Sequence, residues 1–153
     1  MALRTIDRVV IHHSASSSVT TKKSDLERWH KERGFLEIGY HKVIERDGTV
    51  ADGRDEGSDG AHAKGANLNS LGICVAGDFE VEIPTSAQIA ALESVLVGWC
   101  RQYGLTEAHI FGHTNVPGGT TKTLCPGKHL VSRLPIVRAT VGAALKKTGG
   151  RAP

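Results

Sequence analysis

Short apolar runs separated by turn residues predict the strands of this chain. The runs at residues 4–13 and 71–77 are apolar along most of their length, which is typical of strands buried on both faces. A hairpin is predicted around Asp47-Gly48, because this pair suits a turn that needs positive φ. A further short strand is expected at residues 108–111.

Three helical segments are predicted from capping signals and from apolar residues spaced three and four apart. The first begins at the capping box Ser24–Glu27 and ends before Gly34. The second begins at the capping box Thr85–Gln88 and ends at Gly104. Pro135 is expected either to break the third segment or to begin its second part. The apolar stripe of this third segment comprises Leu130, Leu134, Val137, Val141 and Leu145.

The alternation of strands and helices predicts an α/β fold. Some strands are paired in a hairpin and others are separated by helices, so we expect a central mixed β-sheet flanked by about three helices. A length of 153 residues fits a single domain, and no linker or repeat divides the chain. The domain is predicted to span residues 1–145, followed by a disordered tail at 146–153.

Composition narrows the class of protein. Apolar residues make up 39% and charged residues 23%, as in ordinary soluble domains. No apolar run approaches the roughly 20 residues of a membrane span, and the N-terminus lacks the features of a signal peptide, so no membrane role and a cytoplasmic origin are expected. The net charge of +3 is scattered along the chain, which argues against nucleic-acid binding and allows weak attraction to an acidic polymer such as a cell wall.

One of the three cysteines stands out by its surroundings. Cys74 lies in an apolar run and Cys100 on a predicted helix, so both are expected in the core. Cys125 is flanked by Pro and Gly in a loop, and a helix beginning after it would favour the thiolate. An odd number of cysteines in a chain without a signal peptide argues against a disulfide framework.

The stretch FGHTNVPGGTTKTLCPG suggests a metal site. A loop at residues 114–124 would bring Cys125 back to His113, and thiolate with imidazole favours zinc, which takes three protein ligands in catalytic sites. A third ligand is expected at the carboxyl end of a neighbouring strand. His12 and His13 both end the first strand and point to opposite faces, and the apolar pattern does not decide between them.

Six segments together carry a resemblance to a known family. In chain order they are VVIHHSAS, ERWHKERGF, IGYHKVIERDGTVADGRDE, AHAKGANLNSLGICVAGDF, FGHTNV and TLCPG. They resemble the zinc-dependent N-acetylmuramoyl-L-alanine amidases of the amidase-2 class, which share a fold with peptidoglycan recognition proteins, and most of all the small phage endolysins. The resemblance implies one Zn²⁺ per chain and hydrolysis of the amide between N-acetylmuramic acid and L-alanine in bacterial peptidoglycan.

The resemblance also assigns residues. Its metal ligands fall on His12, His113 and Cys125, and its catalytic tyrosine falls on Tyr40. A zinc ion would activate water and polarise the carbonyl, and the phenol would orient that water or donate to the oxyanion.

The position two before the cysteine departs from the phage pattern. It is Lys in the phage enzymes and often Thr in active recognition-protein amidases; here it is Thr123, with Lys122 one step away. Either side chain is a candidate to assist catalysis, and its position two residues before the cysteine favours Thr123. Candidate substrate-binding residues in the resembling segments are His62, Lys64, Asn67 and His41.

The remaining histidines are expected to have structural or surface positions. His13 should point away from the metal, and His109 should pack in its strand. His30 and His129 are expected on helix surfaces. For His41, packing or support of the site is weighed above direct contact with substrate.

Two other functions compete with hydrolysis. One is a module that binds peptidoglycan without cutting it; the presence of Cys125 favours catalysis. The other, which can coexist with hydrolysis, is inhibition of a phage RNA polymerase. We expect a monomer, and the lack of signal-peptide features predicts that it stays in the host cytoplasm until it is released to the cell wall.

Overall fold

Five strands form one sheet in the computed structural model, which describes residues 4–149. Their order across the sheet is β3-β2-β4-β1-β5, and every neighbouring pair is parallel except the β2–β3 hairpin. The predicted mixed sheet is therefore confirmed. The strands are β1 (Arg8–His13), β2 (Lys42–Ile44), β3 (Val50–Asp52), β4 (Ser70–Val75) and β5 (Ile110–Gly112).

Two long and two shorter helices accompany the sheet within the described residues, and 3-10 turns precede and follow β5 at Glu107–His109 and His113–Asn115. No helix in residues 4–149 combines the length and apolarity that a membrane span requires. The helices are α1 (Lys23–Glu32), α2 (Ser86–Tyr103), α3 (Lys128–Val131) and α4 (Leu134–Gly149).

The main core lies on the face of the sheet that α2 and α4 cover. Val9 and Ile11 of β1 pack there, together with the apolar stripe of α2. The opposite face carries smaller clusters, one of which contains Val10 and another of which joins Leu26 of α1 to Cys74 of β4. Because side chains alternate along a strand, the residues of β1 are divided between these two environments.

The start of α1 differs from the prediction. Lys22 is the N-cap, so Ser24 lies inside the helix. Asp25, not Glu27, reaches back to the cap, where its Oδ2 accepts from the Lys22 N–H at 2.8 Å. Glu27 instead pairs with Lys23 one turn earlier, at 2.9 Å. An aspartate three residues after the cap satisfies the same free N–H as the predicted capping box.

The predicted hairpin and second helix are both present. Gly48 has φ +90° in the turn, where the Glu45 N–H donates to the Thr49 carbonyl at 2.9 Å. Thr85 and Gln88 form the predicted capping box of α2, with bonds of 3.0 and 3.1 Å. This helix packs its apolar stripe into the main core.

The segment around β5 is displaced from the prediction. The strand covers Ile110–Gly112 instead of 108–111, because Glu107–His109 form a 3-10 turn. The Nδ1 of His109 accepts from the Thr106 N–H at 3.0 Å, so this histidine caps the turn and does not pack in a strand.

The last helix extends further than expected. Pro135 lies in the first turn of α4, where its missing N–H leaves no hydrogen bond unmade. The helix continues to Gly149, so the predicted tail does not begin at Lys146. The remainder of that predicted tail, 150–153, lies outside the described residues.

Candidate metal centre and substrate groove

Three side chains converge at the carboxyl end of β1 and the beginning of the loops beyond it. His12 lies near the end of β1, and His113 follows the adjacent parallel strand β5. Cys125 lies in the loop before α3. One ligand atom from each residue lies within 4.8 Å of the other two. The structure thus brings together the three residues that the resemblance assigned to a metal.

The division of β1 between two faces decides which histidine joins this cluster. Val9 and Ile11 point into the main core, so His12 points to the opposite face, toward the loops. His13 lies on the core side, and its Nδ1 accepts from the Phe79 N–H at 3.1 Å. His13 therefore holds the segment after β4, as predicted for a structural histidine.

The loop between His113 and Cys125 is closed by the protein's own hydrogen bonds. The Thr114 N–H donates to the Cys125 carbonyl at 2.8 Å. The Cys125 N–H donates to Thr123 Oγ1 at 3.1 Å, and Gly118 adopts φ +84° where the loop reverses. These bonds place the thiol next to the imidazoles.

The donor atoms of this cluster fit a soft divalent cation. Nε2 of His113 is buried and has no hydrogen-bond partner among the described residues. His12 Nδ1 lies 3.6 Å from Cys125 Sγ. A buried polar atom without a partner is costly, and a bound cation would satisfy it. Two imidazoles and a thiol are the donor set that zinc prefers, and a fourth position remains for water or substrate.

Burial controls the protonation of these groups in the metal-free protein. It lowers the pKa of His12 well below its usual value, with nearby histidines adding to the effect, so the ring is neutral. Burial also raises the pKa of the Cys125 thiol to about 12, and the His13 N–H bond to Sγ offsets this only in part. The expected activation by a helix N-terminus is therefore not the dominant effect, since α3 begins only at Lys128.

Tyr40 lies beside the ligand cluster. Its ring centroid is 5.1 Å from that of His12, and the planes are tilted by 54°. Burial raises the pKa of the phenol well above its usual value, and a hydrogen bond to the Cys74 thiol contributes, so the phenol keeps its proton. A protonated phenol at this position can donate a hydrogen bond but cannot act as a base.

A histidine in the last turn of α1 fixes the segment that leads to Tyr40. His30 is only 6% exposed, which differs from the predicted surface position. Its Nδ1 accepts from the Gly39 N–H at 2.8 Å, and its ring centroid is 5.3 Å from that of Tyr40. The sequence pattern missed this role because the partner lies in the irregular segment after the helix, where helical spacing predicts no contact.

An open cavity of about 390 Å³ leads away from His113. Three of the predicted substrate-binding residues line it, as do residues that the sequence did not single out. Among the latter, Arg33 and Phe35 follow α1, and the Arg33 guanidinium lies 5.3 Å from the Phe35 ring centroid. Within residues 4–149 the lining consists of Arg33, Phe35, Ala61, His62, Lys64, Asn67, His113 and Thr121. The matching segment ERWHKERGF was the only signal for this wall of the groove.

Two loops are joined to build the opposite wall. Asn67 Oδ1 accepts from the N–H groups of His62 and Ala63, at 2.9 and 2.8 Å, so part of this amide shapes its own loop. The Lys64 carbonyl accepts from the Thr120 N–H at 2.9 Å. The loop that carries Cys125 is thereby fastened to the loop that carries the groove residues.

The structure places His41 beneath the groove. It is 1% exposed, and its Nδ1 accepts from the Gly72 N–H at 3.0 Å. Its Nε2 lies 2.9 Å from the Ser58 carbonyl. Since both ring nitrogens are bonded within the protein, His41 supports the sheet and the 53–60 segment. The prediction that His41 contacts substrate is not supported, because almost none of the side chain is exposed.

The two candidates before the cysteine occupy different environments. Thr123 is half-buried and is bonded to the Cys125 backbone, whereas Lys122 is exposed. Together with Thr114 and Leu124 they line a separate open cavity of about 600 Å³. The geometry therefore connects Thr123, not Lys122, to the ligand cluster.

Comparison with known proteins agrees with this fold and site. The family profile described as N-acetylmuramoyl-L-alanine amidase (amidase 2) matches residues 2–128, so the chain belongs to this family. It is an amidase of the class that acts on peptidoglycan. The endolysin of Escherichia phage T7 is 42% identical over 104 residues, which cover 63% of this chain and 68% of that protein.

Two more distant relatives show how widely the fold is shared. Peptidoglycan-recognition protein SC2 of Drosophila melanogaster is 33% identical over 129 residues, covering 79% of this chain and 68% of that protein. The solved structure of the N-acetylmuramoyl-L-alanine amidase LysC from Clostridium intestinale superposes with a TM-score of 0.77 at 29% identity, covering 87% of this chain and 85% of that one.

Proposed function

We propose that this chain hydrolyses the amide between the lactyl group of N-acetylmuramic acid and L-alanine, with one Zn²⁺ held by His12, His113 and Cys125. The observation that carries this proposal is the convergence of the three ligand atoms within 4.8 Å, with Nε2 of His113 buried and without a hydrogen-bond partner in residues 4–149. The same cluster borders the groove through His113, so a substrate in the groove would reach the metal.

The metal would supply Lewis-acid activation of water and of the scissile carbonyl. Around it, His12 and His113 offer neutral nitrogens, and a divalent cation would favour loss of the Cys125 proton despite the burial of the thiol. Tyr40 donates a hydrogen bond to the oxygen that gains charge as the amide is attacked. Thr123 holds the Cys125 backbone through a 3.1 Å bond and so positions the sulfur.

The groove is suited to an anionic peptide attached to a sugar. Arg33 and Lys64 place two cationic side chains along its lining, and the described lining residues include no carboxylate. The stem peptide of peptidoglycan carries free carboxylates, which would pair with these cations. Lys64 and the free NH₂ of Asn67 are the groups that we assign to substrate contact.

We further propose that the protein is a phage endolysin, which accumulates in the host cytoplasm as a monomer and acts once it is released to the cell wall. The similarity to the T7 endolysin supports this role. Inhibition of a phage RNA polymerase rests on the resemblance alone and stays a prediction. A pull-down of purified polymerase with the tagged chain tests it, and absence of binding at micromolar concentration would contradict it.

Digestion of purified peptidoglycan with mass analysis of the products tests the reaction. We expect new amino termini on alanine, no new reducing sugar ends, loss of activity with a chelator and recovery with zinc. New reducing ends would indicate a glycosidase and overturn the proposal. Binding to peptidoglycan without any cleavage by the zinc-loaded protein would favour the competing function, a recognition module.

A further inference from the structure

The His12 ring has one nitrogen that faces the ligand cluster and one that faces away from it. Among the described residues, His62 is the hydrogen-bond partner of the nitrogen that faces away. His12 Nδ1 faces Cys125 Sγ at 3.6 Å, whereas His12 Nε2 lies 2.9 Å from His62 Nδ1. The two rings meet edge to face, with centroids 4.9 Å apart and planes at 89°. In this arrangement Nε2 of His12 and Nδ1 of His62 face each other at hydrogen-bond distance.

The hydrogen bonds beyond His62 fix the direction of each donor. With Nδ1 of His12 offered to a metal, its Nε2 carries the proton and donates to His62 Nδ1. His62 then carries its own proton on Nε2, which lies 3.4 Å from Ser70 Oγ. Ser70 donates in turn to the Ala66 carbonyl at 2.6 Å. Every donor in this series has an acceptor, so one set of tautomers satisfies the whole chain of groups.

The backbone around His62 is shaped to hold its ring. A Cβ on Gly72 of β4 would come within 2.5 Å of the His62 ring, and one on Gly60 would also collide with it. His41 packs against the ring from a third side, with centroids 5.8 Å apart at 80°. The ring therefore lies in a fitted position between β4 and the 60–67 loop and has little freedom to rotate.

We propose that His62 is a positioning residue that orients His12 and fixes its tautomer for metal binding. This inference rests on the proposed function, because it concerns the same metal centre. It differs from the predicted role of His62 in substrate contact, since Nδ1 of His62 is already bonded to His12. Metal-ligating histidines commonly donate their second ring N–H to such a partner, whose loss costs about 10–100-fold in metal affinity.

A pair of variants at position 62 tests the bond separately from the ring. His62→Asn places an amide oxygen close to the position of Nδ1 and can accept from His12, whereas His62→Leu has the same branching and no acceptor. Zinc affinity is measured by titrating the metal-free proteins against a competing chelator. We expect Leu to weaken zinc binding by ~10–100-fold and Asn to stay closer to wild type. Equal affinities for Asn and Leu would overturn the inference.

The absorption spectrum of the cobalt-substituted protein supplies a second measurement that does not depend on activity. The thiolate-to-cobalt absorption band reports the geometry of the ligand set, so we expect it to shift in His62→Leu and to be retained in His62→Asn. If circular dichroism shows that the Leu variant is unfolded, His62→Gln replaces it, because its oxygen lies one bond further out. Gln binding zinc as tightly as Asn would then overturn the inference.

These measurements separate the two proposals. A wild-type chain that takes up no zinc overturns the proposed function itself. Tight zinc binding by wild type and by His62→Leu alike, with only KM for peptidoglycan raised in the variant, would overturn the positioning role alone and return His62 to substrate contact.

Discussion

The backbone N–H of Thr114 donates to the carbonyl of Cys125 at 2.8 Å, which joins the two ends of the 114–124 loop. Thr114 follows one proposed metal ligand, His113, and Cys125 is another. The bond therefore helps to set the spacing between an imidazole and a thiol of the proposed metal site.

Removal of the sulfur ligand is expected to abolish the metal site. In Cys125→Ala we expect zinc affinity to fall by more than ~100-fold, because one of three protein ligands is lost. Loss of a residue that only hydrogen-bonds to a ligand costs at most about 100-fold. Isothermal titration of the metal-free protein measures this. Cys100→Ala is the matched control, since Cys100 lies in the main core; it should cost about 1 kcal/mol of stability and leave zinc binding intact. Undiminished zinc binding by Cys125→Ala would contradict the ligand assignment.

Loss of the Tyr40 hydroxyl is expected to slow the reaction without loss of metal. Removing one donor to a developing oxyanion typically lowers kcat by ~10²–10³. Steady-state hydrolysis of a soluble muramoyl-peptide by Tyr40→Phe, with zinc content checked in parallel, measures this. Tyr103→Phe serves as control, because that phenol donates to Glu56 Oε1 at 2.6 Å, away from the site. A Tyr40→Phe enzyme at full rate would show that the phenol has no catalytic role.

The two candidates before the cysteine are expected to separate clearly. Thr123→Val loses the acceptor for the Cys125 N–H, so we expect a fall in kcat of ~3–10-fold, the equivalent of one hydrogen bond. Lys122→Met removes an exposed charge and should change kcat by less than ~2-fold. Hydrolysis rates of both variants at saturating zinc decide the matter. A larger loss in Lys122→Met than in Thr123→Val would reverse the assignment.

Acid is expected to destabilise the fold partly through His30. Burial lowers its pKa below the usual 6.5, with Arg33 and Arg54 acting in the same direction. The unfolded chain therefore binds a proton near that value while the folded chain does not, and stability falls as pH drops below about 6.5. Protonation of Nδ1 would also break its bond from the Gly39 N–H.

His30→Asn isolates this contribution. The amide oxygen retains an acceptor for Gly39 but has no proton to gain, so the variant should lose less stability than wild type between pH 7 and pH 5. The difference should be of order 1.4 kcal/mol for each unit by which the pKa is lowered. Urea unfolding at several pH values measures it. Parallel curves for the two proteins would show that His30 does not contribute to the pH dependence.

Local sequence signals determined most of the elements of this protein. The Thr85–Gln88 capping box, the Asp47-Gly48 turn and the buried strands depend on neighbours close in the chain, so the pattern alone predicted them. At the start of α1, more than one nearby carboxylate could accept from a free backbone N–H. Asp25 does so in place of Glu27, and the helix therefore begins earlier than predicted. The motif spacing suggested His113 and Cys125 as ligands and left His12 and His13 open, and the family resemblance then pointed to His12.

Only the tertiary structure decided how those candidates are used. The apolar run of β1 gave no preference between its faces, and the packing of Val9 and Ile11 against α2 and α4 turned His12 toward the site. His30, His41 and His62 look alike in the sequence, yet each is bonded to a different group outside its own helix, strand or loop. A histidine's role depends on which nitrogen meets which partner, and partners far apart in the chain meet only when the sheet and its loops are folded.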